Sequence, residues 1–210
     1  MHIPYRQIRA VYTDKTIRVY QAYSDRIAKS ALKAGTFVSP PFKMDRMTWI
    51  KPSFLWMMYR SGWGKKEGQE RILGIDITRE GFEWTLEHSC LSHFESKVYQ
   101  SHEEWLHIKQ NSPVRIQWDP ERDIQLNKLD YRSIQIGLSG EAVNRYVNEW
   151  IVRIEEVSPL CSEIQAILND KNISQATNIL PDEKTYPLPQ LIEANLGIHQ
   201  VNCSHNKKTS

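Results

Sequence analysis

The chain has 210 residues, 40% of them hydrophobic and 10% aromatic, with a formal net charge of +2. That length suits one domain, and that apolar content suits a close-packed core, which excludes a disordered chain. A charge so near zero excludes a global field built for nucleic acid or an anionic membrane, so any electrostatic recognition has to come from a local cluster.

The opening residues, MHIPYRQIRAVYTDK, lack the apolar run of a signal peptide. Nowhere do about eighteen apolar residues follow one another, so no membrane span is expected. Cys90, Cys161 and Cys203 are odd in number and scattered. They do not read as a disulfide framework and suit a reducing compartment, so a cytoplasmic protein is expected.

Residues 17–23 (IRVYQAY) are rich in β-branched and aromatic side chains and read as a strand. A helix follows, with Ser24 as N-cap, Asp25 at the positive end of its dipole, Ile27, Ala28, Ala31 and Leu32 on one face, and Gly35 as its stop. TFVSPPF is an extended connector because its prolines forbid a helix.

The stretch RMTWIKPSFLWMMYRSGWGKKEGQER (46–71) carries tryptophans at 49, 56 and 63. Pro52 suits the first position of a helix and Gly62 the residue just past its end. Trp56 then lies inside the helix as a core anchor, while Trp49 precedes it and Trp63 follows. Lys51 and Ser53 flank the helix N-terminus, where free N–H groups and the dipole can receive a phosphate; a merely solvated lysine is the plainer alternative. Residues 43–71 hold seven basic side chains against three acidic ones, a local positive patch.

Further along, RILGIDI (71–77) reads as a buried strand, and Thr78 as the cap of a helix carrying Phe82, Leu86 and Leu91. HSCLSH offers His88, Cys90 and His93, which one helical segment cannot direct to a single metal ion, so no metal site is expected. GWGKKEG lacks the spacing of a phosphate loop. Ser101 and Glu104 form a capping box ahead of Trp105 and Ile108, and VRIQW (114–118) alternates as a half-buried strand.

In YRSIQIGLSGEAV (131–143) a strand carries Arg132 and Gln135, and Gly137 and Gly140 permit close approach to the backbone. Ser139 is expected to cap a helix that runs through Tyr146 and Trp150. The plain reading is strand, turn and capped helix; the functional one sets a ribose against the turn, with Glu141 bonding its hydroxyls or stabilising an oxocarbenium-like centre. A strand at 151–157 and a helix opened by Ser158-Pro159 follow, with Cys161 as buried packing. Within the polar remainder, DEKTYPLPQLIEANLGI can fold back through Tyr186, Leu188, Leu191, Ile192 and Leu196. Strands and helices mix without a strict βαβ rhythm, so the fold class is α+β: a single domain over 1–198, a mixed or antiparallel sheet with flanking helices, and a disordered tail at 199–210.

RQIRAVYTDKTIRVYQAY, RMTWIKPSFLWMMYRSGW, YRSIQIGLSGEAV and YPLPQLIEANLGI together resemble the family filed as domain of unknown function 4291, over nearly the whole chain. That resemblance implies a domain boundary and no chemistry. A second resemblance is to the ADP-ribosyltransferase fold, which implies NAD as cofactor, a basic or His residue on an early strand, where this chain offers Arg18 or Gln21, a Ser or Tyr on a middle element, here Ser53 or Tyr59, and a Glu on a late strand, where it offers Gln135 or Glu141. The chain departs from that pattern in lacking a Gln/Glu-x-Glu strand and in placing Glu141 in the first turn of a helix.

The function expected is therefore a nucleotide- or NAD-binding transferase. Arg18, Gln21, Lys51, Ser53, Tyr59 and Arg60 form its binding set, Tyr20 or Trp49 contacts the base, and Glu141 or Gln135 sits at the reacting ribose. The rival class is a nucleic-acid-binding module, in which the basic and aromatic patch of residues 46–71 tracks a phosphate backbone and stacks on unpaired bases.

Overall fold

The computed structural model describes residues 4–198. The tail expected to be disordered, 199–210 with Cys203, lies outside the described residues. The chain runs β1 (Arg9–Ala10), β2 (Thr16–Tyr23), α1 (Asp25–Ala34), β3 (Thr48–Ile50), α2 (Phe54–Ser61), β4 (Arg71–Thr78), α3 (Arg79–Glu87), β5 (Ser89–Leu91) and α4 (His102–Asn111). It continues with β6 (Val114–Arg122), β7 (Lys128–Leu138), α5 (Glu141–Arg145), a π-helical turn (Tyr146–Trp150), β8 (Ile151–Glu156), α6 (Ser158–Asn169), α7 (Ile173–Asn178), β9 (Lys184–Thr185) and α8 (Gln190–Asn195).

Three strands form an antiparallel sheet in the order β2-β4-β8, and four form a mixed sheet in the order β3-β7-β6-β5, in which β5 and β6 are parallel. A short pair, β1-β9, ties the N-terminus to the C-terminal segment. This is the α+β architecture that the mixture of periodicities implies.

Period two explains the layers. Ile17 and Val19 of β2 and Leu73, Ile75 and Ile77 of β4 share one buried cluster with Ile50 of β3, Val114 and Ile116 of β6, and Ile134, Ile136 and Leu138 of β7. Ala28 and Ala31 of α1 and the face Ala142, Val143, Tyr146, Val147 and Trp150 close the same core. On the opposite side of the three-stranded sheet, Tyr20 and Ile72 pack with Phe54, Met57 and Met58 of α2 and Cys161 and Ile164 of α6. Among the described residues one backbone bridge joins the two sheets: Tyr20 N–H donates to the Lys51 carbonyl at 2.7 Å, and Lys51 N–H returns a 3.3 Å bond to the Tyr20 carbonyl.

Several local expectations are corrected. Residues 48–50 form a strand, because β7 offers them a partner edge through Trp49 opposite Gly137. Pro52 precedes the helix it was expected to begin; Ser53 is the N-cap of α2 and its hydroxyl accepts from Trp56 N–H at 3.2 Å. Ser24 is the N-cap of α1 as expected, though its side chain makes no cap bond. Ser139 makes no cap either, since its hydroxyl donates to the Pro113 carbonyl and Gly140 takes the N-cap position at φ 52°. In the C-terminal segment Tyr186, Ile192 and Leu196 are buried as expected, whereas Leu191 faces solvent.

Candidate functional site

Where β2 ends and β3 begins, the bridge between the sheets stops short of closing them, and a cavity of about 440 Å³ opens. Alternation along β2 carries Gln21 and Tyr23 onto the face that Ile17 and Val19 give to the core. The polar continuation of that apolar row forms a hydrogen-bonded wall. Gln21 Nε2 lies 2.7 Å from Thr48 Oγ1, 2.9 Å from Tyr23 Oη and 3.2 Å from the Trp49 carbonyl. Tyr146 Oη donates to Gln21 Oε1 at 2.8 Å, and the Tyr23 and Thr48 hydroxyls are 2.9 Å apart. Burial pushes the Tyr23 phenol up to about 12, against the hydrogen bonds from Thr48 and Gln21 that oppose the rise.

Lys51 lines the same cavity although it is only 6% exposed. Its Nζ donates to the Trp49 carbonyl at 3.0 Å and sits 5.8 Å from the centroid of the Trp56 ring. Burial pulls its amine down to about 7; the Arg60 charge lowers it further and the Asp119 charge opposes. Lys43, Arg46 and Arg60 also line the cavity and are exposed, with Glu67 as the acidic residue among its walls. Trp49 is half-buried and lies across Gly137, where a Cβ would come within 3.0 Å of the indole and 2.8 Å of Met47 Sδ. The cavity thus combines a cationic edge, a planar aromatic wall and a fixed array of hydroxyl and amide groups.

The structure gathers Gln21, Trp49, Lys51 and Arg60 from the expected set and disperses the others. Arg18 faces the other side of β2, ion-paired with Asp76 at 2.8 Å and Glu155 at 2.5 Å. Tyr20 is buried in the second core, its hydroxyl without a partner among the described residues. Tyr59 is exposed beneath the Arg122 guanidinium, 3.6 Å from its ring centroid. Gln135 donates to Asp119 Oδ2 at 2.7 Å, and the Glu141 carboxylate is exposed, 3.9 Å from Arg145. Neither Gln135 nor Glu141 lines the cavity.

The α2 N-terminus, expected to receive an external anion between Lys51 and Ser53, is held by the chain itself. The Glu183 carboxylate accepts from Phe54 N–H at 2.6 Å, and Ser53 Oγ donates to Glu121 Oε1 at 2.9 Å. Ser53, Glu121, Glu183, Arg9 and Tyr131 line a second cavity of about 570 Å³. Burial raises both carboxyls, Glu183 to about 8.

The basic patch is also partly spent. Arg71 is ion-paired with Glu156 and Asp25, Trp56 is buried, and Trp63 packs edge-on against Phe54. His88 stacks on Trp84 and Cys90 is buried against Tyr99, so HSCLSH does not converge; among the described residues no three His, Cys, Asp or Glu side chains come together as metal ligands. Among those residues, too, no helix is long and apolar enough to cross a membrane.

Sequence reading missed Tyr23 and Thr48, and it held Arg46 and Lys43 only as members of the positive patch at 43–71. The signal for Tyr23 was present in the alternation of IRVYQAY, which sets Gln21 and Tyr23 on one face and Arg18 and Tyr20 on the other. Thr48 carried no such signal, because its strand exists only by pairing with β7.

A family model described as Domain of unknown function (DUF4291) matches residues 7–186. No curated protein matches the chain.

Proposed function

Because the chain belongs to the DUF4291 family, whose description assigns no chemistry, we propose from the cavity itself that the protein binds a nucleotide there, with NAD as the first ligand to test, and acts as an ADP-ribosyltransferase-like enzyme. The observation that carries this reading is the convergence, in one 440 Å³ cavity, of Arg46, Arg60 and Lys51 with Trp49 and the Gln21-Thr48-Tyr23 array. Such a cavity is within the size range of small-ligand sites. Guanidinium groups bind phosphate oxygens with charge-assisted bonds, an indole offers a stacking face to a base, and fixed hydroxyls and amides suit a ribose.

Glu141 and Gln135 stand away from the cavity, and Glu67 is the carboxylate placed among its walls. In this reading a ribose centre that gains positive charge is stabilised from Glu67.

Thermal denaturation with NAD, with mononucleotides and with short single-stranded oligonucleotides tests the proposal, since a ligand that binds only the folded state raises the melting temperature. NAD or ADP is expected to raise it at micromolar to millimolar concentration and to quench Trp49 fluorescence. A rise with oligonucleotides alone, steeply weakened by salt, would replace this reading with the nucleic-acid module. NAD turnover, followed by nicotinamide release, decides whether binding leads to transfer.

A further inference from the structure

We propose that the Lys51 amine is a nucleophile that forms an imine with the aldehyde of a phosphorylated sugar held in the 440 Å³ cavity. The proposal rests on the nucleotide reading only for the anionic character of the ligand; the chemistry at Lys51 is separate.

Lysine is almost never fully buried unless it is paired. Lys51 is buried, yet no carboxylate lies within ion-pair distance of its Nζ among the described residues, and its one hydrogen bond runs to a backbone carbonyl. An ammonium in that position would keep most of its desolvation cost without a counterion, so the neutral amine is populated near neutral pH. Desolvation and a neighbouring cation are the two devices that free a lysine lone pair for attack on carbonyl carbon, and both are present: burial with the Trp56 ring 5.8 Å from Nζ, and the charge of the Arg60 guanidinium of α2. Asp119 of β6 is the charged group that opposes them. Lys43, Arg46 and Arg60 around the same cavity select an anionic carbonyl compound, and the Gln21-Thr48-Tyr23 array selects one bearing hydroxyls.

The step balances without an oxidant or reductant. The nitrogen lone pair forms a bond to the aldehyde carbon and the carbonyl π pair moves to oxygen; one proton passes from nitrogen to that oxygen, by way of solvent, to give a neutral carbinolamine. The hydroxyl takes a proton from solvent and leaves as water with the C–O bonding pair, the nitrogen lone pair forms the C=N bond, and the iminium returns its remaining proton to solvent, so amine plus aldehyde becomes imine plus water.

The experiment uses ribose 5-phosphate as the probe, with cyanoborohydride to fix any imine, on the wild-type protein and on Lys51→Met. Intact mass and peptide mapping are read across a pH series. One adduct on Lys51 is expected, absent from Lys51→Met, with a rate half-maximal near the pH at which Lys51 loses its proton, about 7. Adducts spread over exposed lysines with none at Lys51 would overturn the proposal. Should Lys51→Met fail to fold, the site map and pH profile of the wild type decide the question alone. NAD carries no free aldehyde, so its binding is scored separately: NAD binding without a Lys51 adduct overturns the imine and keeps the nucleotide reading, whereas an adduct without NAD binding does the reverse.

Discussion

The Glu183 carboxylate accepts a 2.6 Å hydrogen bond from Phe54 N–H, so the start of α2 is held by a residue 129 positions away in the chain. Burial pushes that carboxyl from an ordinary 4.5 up to about 8; the Phe54 N–H opposes the rise, the Glu121 charge adds to it, and Arg9 opposes it. A carboxyl raised on folding holds its proton in the folded state after the unfolded chain has lost one. Its contribution to stability is therefore complete below the unfolded value and falls as pH rises through the folded one. The melting temperature is expected to drop between roughly pH 5 and pH 8, and Glu183→Gln, which keeps an acceptor for Phe54, is expected to flatten that slope. Equal slopes in the two proteins, measured by calorimetry, would refute the assignment.

Trp56 is 5% exposed and anchors α2. Truncation to Ala leaves a cavity as well as removing apolar contact, and Trp56→Ala is expected to cost about 3–5 kcal/mol, measurable as a lowered urea midpoint. A change under about 1 kcal/mol would mean that Trp56 does not anchor this core.

Gly137 has no room for a side chain, since a Cβ would stand 2.8 Å from Met47 Sδ and 3.0 Å from the Trp49 indole. Both neighbours line the cavity, so Gly137→Ala is expected to displace the aromatic wall, weaken NAD binding severalfold and cost roughly 1–3 kcal/mol. Unaltered affinity, read from a fluorescence titration, would remove Trp49 from the ligand's contacts.

Arg46 and Arg60 are exposed at the cavity, where a charge adds little to folding. Changing both to Ala is expected to weaken nucleotide binding by about tenfold or more, because a hydrogen bond to a charged group is worth roughly 1.5–3 kcal/mol. The melting temperature of the free protein should stay nearly level. Calorimetric titration beside thermal denaturation separates these two effects, and unfolding without lost affinity would assign the arginines to structure.

Glu141 gives the converse case. Its carboxylate is exposed and 3.9 Å from Arg145, a helical pair worth about 0.3–0.5 kcal/mol at most. Glu141→Gln is expected to leave melting temperature and NAD affinity almost unchanged, while Glu67→Gln lowers any nicotinamide release. A large loss of release in Glu141→Gln alone would return the ribose to the turn at 137–141.

Local pattern was enough for much of the fold. Alternation in IRVYQAY and VRIQW marked β2 and β6, the apolar face and Gly35 marked α1, and Thr78 and Ser101 capped α3 and α4 where expected. Each of these signals is written within a few residues, because a helical or extended segment repeats its burial every turn or every second residue. Lys51, Trp49 and Arg60 were legible as candidates for the same reason, as costly residue types crowded into one stretch. Tertiary structure decided what each of them does. Thr48–Ile50 became a strand only through β7, Lys51 was enclosed only by the meeting of two sheets, and the helix start offered to a phosphate was taken by Glu183. Burial, pairing and the depression of the Lys51 amine are properties of neighbours brought from distant parts of the chain. The sequence carries those partners without marking which of them will meet.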